Sequence, residues 1–181
     1  MIPRSFCITL KETPLRTKGF FEMINDRIQV EPFYGIMGPR MGLVPKLPNE
    51  IECPGRNIYL NEKAIGCNMS HFLLWHAMKY MPEDEFMVFE DDAFLGDDFL
   101  TKFTSLYERL PKDWQMVFVG WIPTGHPPQP RLDDGMSLLL PSGTHAYMVK
   151  KTIFNDLCDC MMPFQSNIDL TIVSRLLPKI R

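Results

Sequence analysis

The chain has 181 residues, of which 45% are hydrophobic and 23% charged, with a net charge of −3. That is enough for one domain with a buried core, in an ordinary globular composition. No basic stretch is present, which argues against nucleic acid as a partner. No apolar run approaches the roughly 18 residues of a transmembrane helix.

The N-terminus, MIPRSFCITLKETP, is too weakly apolar for a signal peptide and reads as a first strand, so a cytoplasmic chain is expected. The five cysteines, Cys7, Cys53, Cys67, Cys158 and Cys160, are odd in number and match no zinc spacing. Free thiols in a reducing compartment are the expectation.

In chain order, SFCITL (5–10) is an apolar run rich in β-formers, LRTKGFFEMI (15–24) is helical, and IQVEPFYG (28–35) is a second strand. This β-α-β order favours a parallel sheet. Residues 35–58 are dense in Gly, Pro and Asn and read as one long loop. From about 62 to 80 apolar residues recur at three and four, which predicts a helix with Ile65, Met69, Phe72, Leu73 and Ala77 on its inner face. FMVF (86–89) is a buried strand and 97–109 a helix, with Asp97 and Asp98 as capping candidates. QMVFVGW (115–121) is another buried strand, followed by a Pro-rich loop over 122–135. Strands at 136–140 and 144–149 flank a turn at Pro141–Gly143, and helices are expected over 150–160 and 168–177.

FMVFEDDAF is the most informative stretch, because an uncharged strand runs directly into Glu90, Asp91 and Asp92. In parallel sheets ligands bind beyond the carboxyl ends of the strands. Adjacent carboxylates repel unless a cation joins them, and Mg²⁺ or Mn²⁺ takes carboxylates together with phosphate oxygens. The chemistry indicated is a diphosphate held through a divalent metal. The plainer alternative is an exposed acidic turn.

The stretches CITLKETPLR, LNEKAIGCNMSHFLLW, FMVFEDDA, GTHAYMVKK and NIDL, in this order, resemble glycosyltransferase family 25, the lipooligosaccharide and collagen galactosyltransferase-like group. The most specific part is a G-C-x-x-S-H helix followed by a strand ending in E-D-D-A. The resemblance implies a single GT-A-like domain over 1–181, an α/β/α sandwich with a central, mostly parallel sheet. It also implies a UDP-sugar donor, a glycan or glycoconjugate acceptor, Mn²⁺ or Mg²⁺, and inverting transfer of a hexose, galactose or glucose. Family members usually continue with a further strand and a C-terminal segment, so this chain reads as minimal or C-terminally short. Thr9-Leu10-Lys11 stands where an Asn-Leu pair is more usual.

On this pattern Asp92 is the first candidate metal ligand, Glu90 a metal ligand or donor contact, and Asp91 takes either role. Arg16, just past the first strand, is placed to meet donor phosphates, or is a solvated helix charge. Gly66 would allow close backbone approach to the donor. Ser70 and His71 would bond the nucleotide or position the acidic strand, and His71 and Trp75, at i and i+4, would pack together. His145 is a candidate third metal ligand or a structural strand histidine, with Tyr147 on the same face. Asp169 is the candidate general base, or a helix N-cap; Asn167 could cap instead and leave Asp169 free. Trp121 and His126, at the base and in the middle of the Pro-rich loop, are acceptor candidates. Two other functions fit the same residues: a non-catalytic nucleotide-sugar or glycan binder that keeps the fold, and a metal-dependent phosphohydrolase.

Overall fold

A computed structural model describes residues 2–38, 61–120 and 143–176, together with the backbone of 51–53 and 56–58. β1 (Arg4–Thr9) leads into α1 (Pro14–Ile24) and β2 (Val30–Tyr34). Pro14 opens α1, where its missing N–H costs nothing, and Asn25 ends it in the left-handed conformation at φ 41°. β3 (Ile51–Cys53) and β4 (Arg56–Ile58) form an antiparallel hairpin. The expectation of an unbroken loop over 35–58 is therefore corrected by these two paired triplets.

α2 (Glu62–Met78) is capped by Asn61, whose side chain accepts the Ala64 N–H at 2.9 Å. β5 (Glu85–Glu90), α3 (Phe99–Arg109), β6 (Met116–Phe118) and β7 (Ala146–Lys150) follow. A 3₁₀ turn (Lys151–Ile153) then enters α4 (Phe154–Met161), and α5 (Ile168–Thr171) continues as a π-helical turn (Ile172–Leu176). Asp98 occupies the N-cap position of α3 without a side-chain capping bond; its carboxylate pairs with Lys102 at 2.7 Å instead. The expected strand over 136–140 and the whole Pro-rich loop over 122–135 lie outside the described residues.

The main sheet has the order β2-β1-β5-β7-β6. β1 is parallel to both neighbours, and β7 is antiparallel to β5 and β6, so four strands share one direction. β6 pairs only with β7 among the described residues and is half-buried, not the fully buried strand its apolar sequence suggests.

Strand alternation divides the core in two. Phe6, Ile8, Phe86, Val88, Tyr147 and Val149 pack with α2, α4 and the C-terminal helix on one face. Cys7, Met87, Phe89, Ala146 and Met148 pack with Phe20 and Ile24 of α1 and Phe103 of α3 on the other. The result is three layers, helices on both sides of a mostly parallel sheet.

The inner stripe of α2 differs from the one its apolar residues suggest. Ile65, Asn68, His71, Leu74, Trp75 and Met78 are buried, whereas Leu73 is exposed. Asn68 and His71 have buried hydrogen-bonding work, so the inward face is not the most apolar one. The amide of Asn68 donates to the Ser166 carbonyl at 2.8 Å.

Candidate active site

The backbone of β5 stays engaged with its neighbours as it reaches the acidic run. The Glu90 N–H donates to the His145 carbonyl at 2.9 Å, and the Asp91 N–H to the Ile8 carbonyl at 3.1 Å. Three consecutive carboxylates are thereby sent to three environments. Glu90 points to the α2 face, Asp91 to the α1 face, and Asp92, 45% exposed, to solvent at the sheet's carboxyl edge.

Glu90 Oε1 accepts from the Thr144 hydroxyl at 2.5 Å and lies 3.2 Å from His71 Nε2. His71 Nδ1 is 2.9 Å from the Tyr147 hydroxyl, which accepts the Trp75 indole N–H at 2.8 Å. Burial pushes the Tyr147 phenol well above its ordinary value, so it keeps its proton. The tautomer of His71 follows from proton counting. With Trp75 donating in, the phenol O–H is satisfied by donating to Nδ1, which places the ring proton on Nε2 and directs it at Glu90. Burial alone would raise the Glu90 carboxyl. The His71 hydrogen bond, the charge of that ring once protonated, the Thr144 hydrogen bond and the charge of His145 outweigh it and hold the carboxyl at about 2.

Asp91 is 7% exposed; it accepts the Thr9 hydroxyl at 2.9 Å and pairs with Arg16 at 2.6 Å. The Thr9 hydroxyl also contacts that of Thr17 on α1. Arg16, 51% exposed, reaches Asp92 as well, at 3.2 Å. The far side of Asp92 meets His145 Nδ1 at 3.0 Å, and the same nitrogen is 4.0 Å from Glu90 Oε2.

Glu90, Asp92 and His145 each present one ligand atom, all within 4.8 Å of one another. Two carboxylates and an imidazole fit a divalent cation, Mn²⁺ better than Mg²⁺ on account of the nitrogen. Cys67, His71 and Glu90 make a second such cluster. Its chemistry is unsuitable: His71 Nε2 is occupied by its proton, and burial together with the charges of Glu90, Asp169 and Asp92 pushes the Cys67 thiol up.

Gly66 and Ser70 serve the chain's own backbone. A Cβ at Gly66 would stand 2.5 Å from the Gly38 nitrogen and 2.7 Å from the Ile36 carbonyl oxygen, so glycine permits α2 to touch the segment after β2. The Ser70 hydroxyl donates to the Gly66 carbonyl at 2.7 Å and accepts the Ile36 N–H at 2.8 Å. His71 and Trp75 do pack, with ring centroids 5.8 Å apart.

Asp169 lies in the first turn of α5. Its Oδ2 accepts the Gly143 N–H at 2.9 Å and its Oδ1 the Leu170 N–H at 2.8 Å. Gly143, at φ 86°, takes a conformation suited to glycine and joins Asp169 to the segment carrying Thr144 and His145. Asn167 holds the N-cap position by its backbone, but its side chain makes no capping bond. Trp121 and His126 lie outside the described residues.

Thr9 and Thr144 escape sequence reasoning as site residues. Their partners are 82 and 54 residues away, so nothing local marks them beyond adjacency to a strand end and to His145.

Solved structures similar to this one include two glycosyltransferases. A glycosyltransferase involved in the glycosylation of the major capsid of PBCV-1 is 11% identical, with TM-score 0.58 over 100% of this chain and 78% of that one. The apo form of the glycosyltransferase GlyE from Streptococcus pneumoniae TIGR4 is 11% identical, with TM-score 0.48 over 96% of this chain and 42% of that one. At such identity the first likeness speaks for the fold alone. Comparison with curated proteins finds no match. The family model described as glycosyltransferase family 25 (LPS biosynthesis protein) matches residues 2–129, a span that holds the whole acidic run and the G-C-x-x-S-H helix. The chain belongs to glycosyltransferase family 25.

Proposed function

We propose that this glycosyltransferase moves a hexose, galactose or glucose, from a UDP-sugar to a hydroxyl of a glycan or glycoconjugate, with inversion and with a divalent metal, in a GT-A-type site. The observation that carries the reading is the convergence of Glu90, Asp92 and His145 at the carboxyl edge of β5. These three residues would hold Mn²⁺ or Mg²⁺, which supplies neutralising charge for the departing diphosphate. Arg16, exposed and already bridging Asp91 and Asp92, is within side-chain reach of phosphates bound there. Asp169 is our candidate for the base that takes the acceptor hydroxyl proton; among the described residues each of its oxygens accepts one backbone N–H and keeps a further lone pair.

The proposal includes the cytoplasmic location expected above. No helix among the described residues is long and apolar enough to cross a membrane. A phosphohydrolase working through two metals would call for a second suitable ligand set, and family membership favours transfer.

Thermal unfolding tests the site. Wild type is expected to gain stability when UDP and Mn²⁺ are added together, about 2.7 kcal/mol at a hundredfold excess over the dissociation constant. Asp92→Ala should lose that gain along with transfer activity. An Asp92→Ala protein that keeps both would end the metal reading.

A further inference from the structure

Among the described residues, the hydrogen bonds to Glu90 come from one side, and the groups that make them are buried. Thr144 and His71 both address Oε1, at 2.5 and 3.2 Å, and neither reaches solvent appreciably. Oε2 is left facing His145 Nδ1 at 4.0 Å. We infer that Thr144 and His71 are positioning residues that lock the Glu90 carboxylate and present Oε2 to the space shared with Asp92 and His145.

The lock extends inward. His71 is itself held by the Tyr147 hydroxyl at 2.9 Å, and Tyr147 by the Trp75 indole at 2.8 Å. All three rings are fully buried, with His71 5.8 Å from Trp75 and 5.7 Å from Tyr147 between centroids. Both ring nitrogens of His71 have buried partners, Nδ1 the Tyr147 hydroxyl and Nε2 the Glu90 carboxylate with the Thr144 hydroxyl 3.5 Å away, so the imidazole has a defined orientation as well as a defined place. Glutamate is a flexible side chain, and fixing it in advance removes an ordering cost from every later binding event. The neighbouring Asp91 shows the contrast. Its partners are a hydroxyl and a half-exposed arginine, and that arginine is shared with Asp92.

The inference rests on the reading that Glu90 faces a bound cation, so the experiment separates the two. Mn²⁺ affinity of the full chain is measured by the electron paramagnetic resonance of free Mn²⁺, with apo unfolding temperatures recorded alongside. Thr144→Val keeps the shape and removes the hydroxyl; it should bind Mn²⁺ about tenfold more weakly. Thr144→Ser, which restores the hydroxyl, should return to within about threefold of wild type. A second pair guards against misfolding: His71→Met fills the space without a donor and should weaken binding, whereas His71→Gln keeps an N–H for Glu90 and should largely restore it.

Thr144→Val and His71→Met binding Mn²⁺ as tightly as wild type, beside an Asp92→Ala that has lost it, would overturn the positioning role and leave the metal site standing. Equal weakening by Val and Ser would also overturn it, since the hydroxyl would then not matter. An Asp92→Ala protein with wild-type affinity, or a wild type that binds no Mn²⁺, would remove the metal reading and this inference with it.

Discussion

Glu90 and Asp91 are neighbours in the chain, yet they end the two faces of the sheet in different company. The face toward α1 and α3 is mostly apolar, with Ser5 and Cys7 among its buried β1 side chains and Thr9 and Asp91 at its edge. The face toward α2, α4 and α5 carries buried polar groups well inside it: Asn68, Ser70, His71 and Thr144. The first face supplies cohesion and the second supplies placement. A hydrogen-bonded line through a core restricts rotamers that apolar packing alone would leave free, at the cost of desolvating every member.

That contrast can be broken on the apolar side first. Phe103 is 3% exposed and stacks against Phe99 and Tyr107. Phe103→Ala should cost about 3–5 kcal/mol of stability through the cavity it leaves. Denaturant unfolding measures the loss. Below the unfolding midpoint, the response to UDP and Mn²⁺ should survive; a lost response would mean that the two faces are not separable.

The polar side is probed by acid. Glu90 sits at about 2 against an ordinary value of 4.5, so its folded-state carboxylate is favoured. A depressed carboxyl contributes stability that is fully present above 4.5 and lost as the pH falls toward 2. At 1.36 kcal/mol per unit, the contribution is at most about 3 kcal/mol. Glu90→Gln should therefore unfold at nearly constant stability relative to wild type above this window, and the difference between the two proteins should shrink within it. An unchanged difference from neutral pH down to 2 would show that Glu90 carries no such linkage.

The smallest effect is expected at Asp91. Asp91→Asn keeps an oxygen for the Thr9 hydroxyl and turns an amide NH₂ toward Arg16, which is half-exposed and still paired with Asp92, so the change should be about 1 kcal/mol or less. A loss as large as that of Phe103→Ala would mean that the α1 side holds its carboxylate as firmly as the α2 side does.

Much of the fold can be read along the chain, because its elements are marked locally. β1, α1 and β2 overlap the runs expected at 5–10, 15–24 and 28–35, and β5 contains FMVF. The inner stripe of α2 was less legible. Leu73 is apolar and faces out, while His71 is polar and faces in, since its two ring nitrogens find buried partners on other elements. Within the candidate site, Glu90, Asp92 and His145 are visible from residue type, whereas Thr144 looks like any strand threonine until its distance from Glu90 is known.

By itself the sequence determined that an apolar strand ends in three consecutive acids, and the period of a strand already implies that the first two face opposite sides. Family 25 membership is likewise carried by local motifs from residue 2 onward. Only the tertiary structure decided which groups meet those acids. β7 lies antiparallel beside β5, with Ala146 opposite Phe89, and that register brings Thr144 and His145 to the same end as Glu90 and Asp92. Strand direction and register come from packing across both faces and from turns far apart in the chain, and no local pattern around residue 144 encodes them.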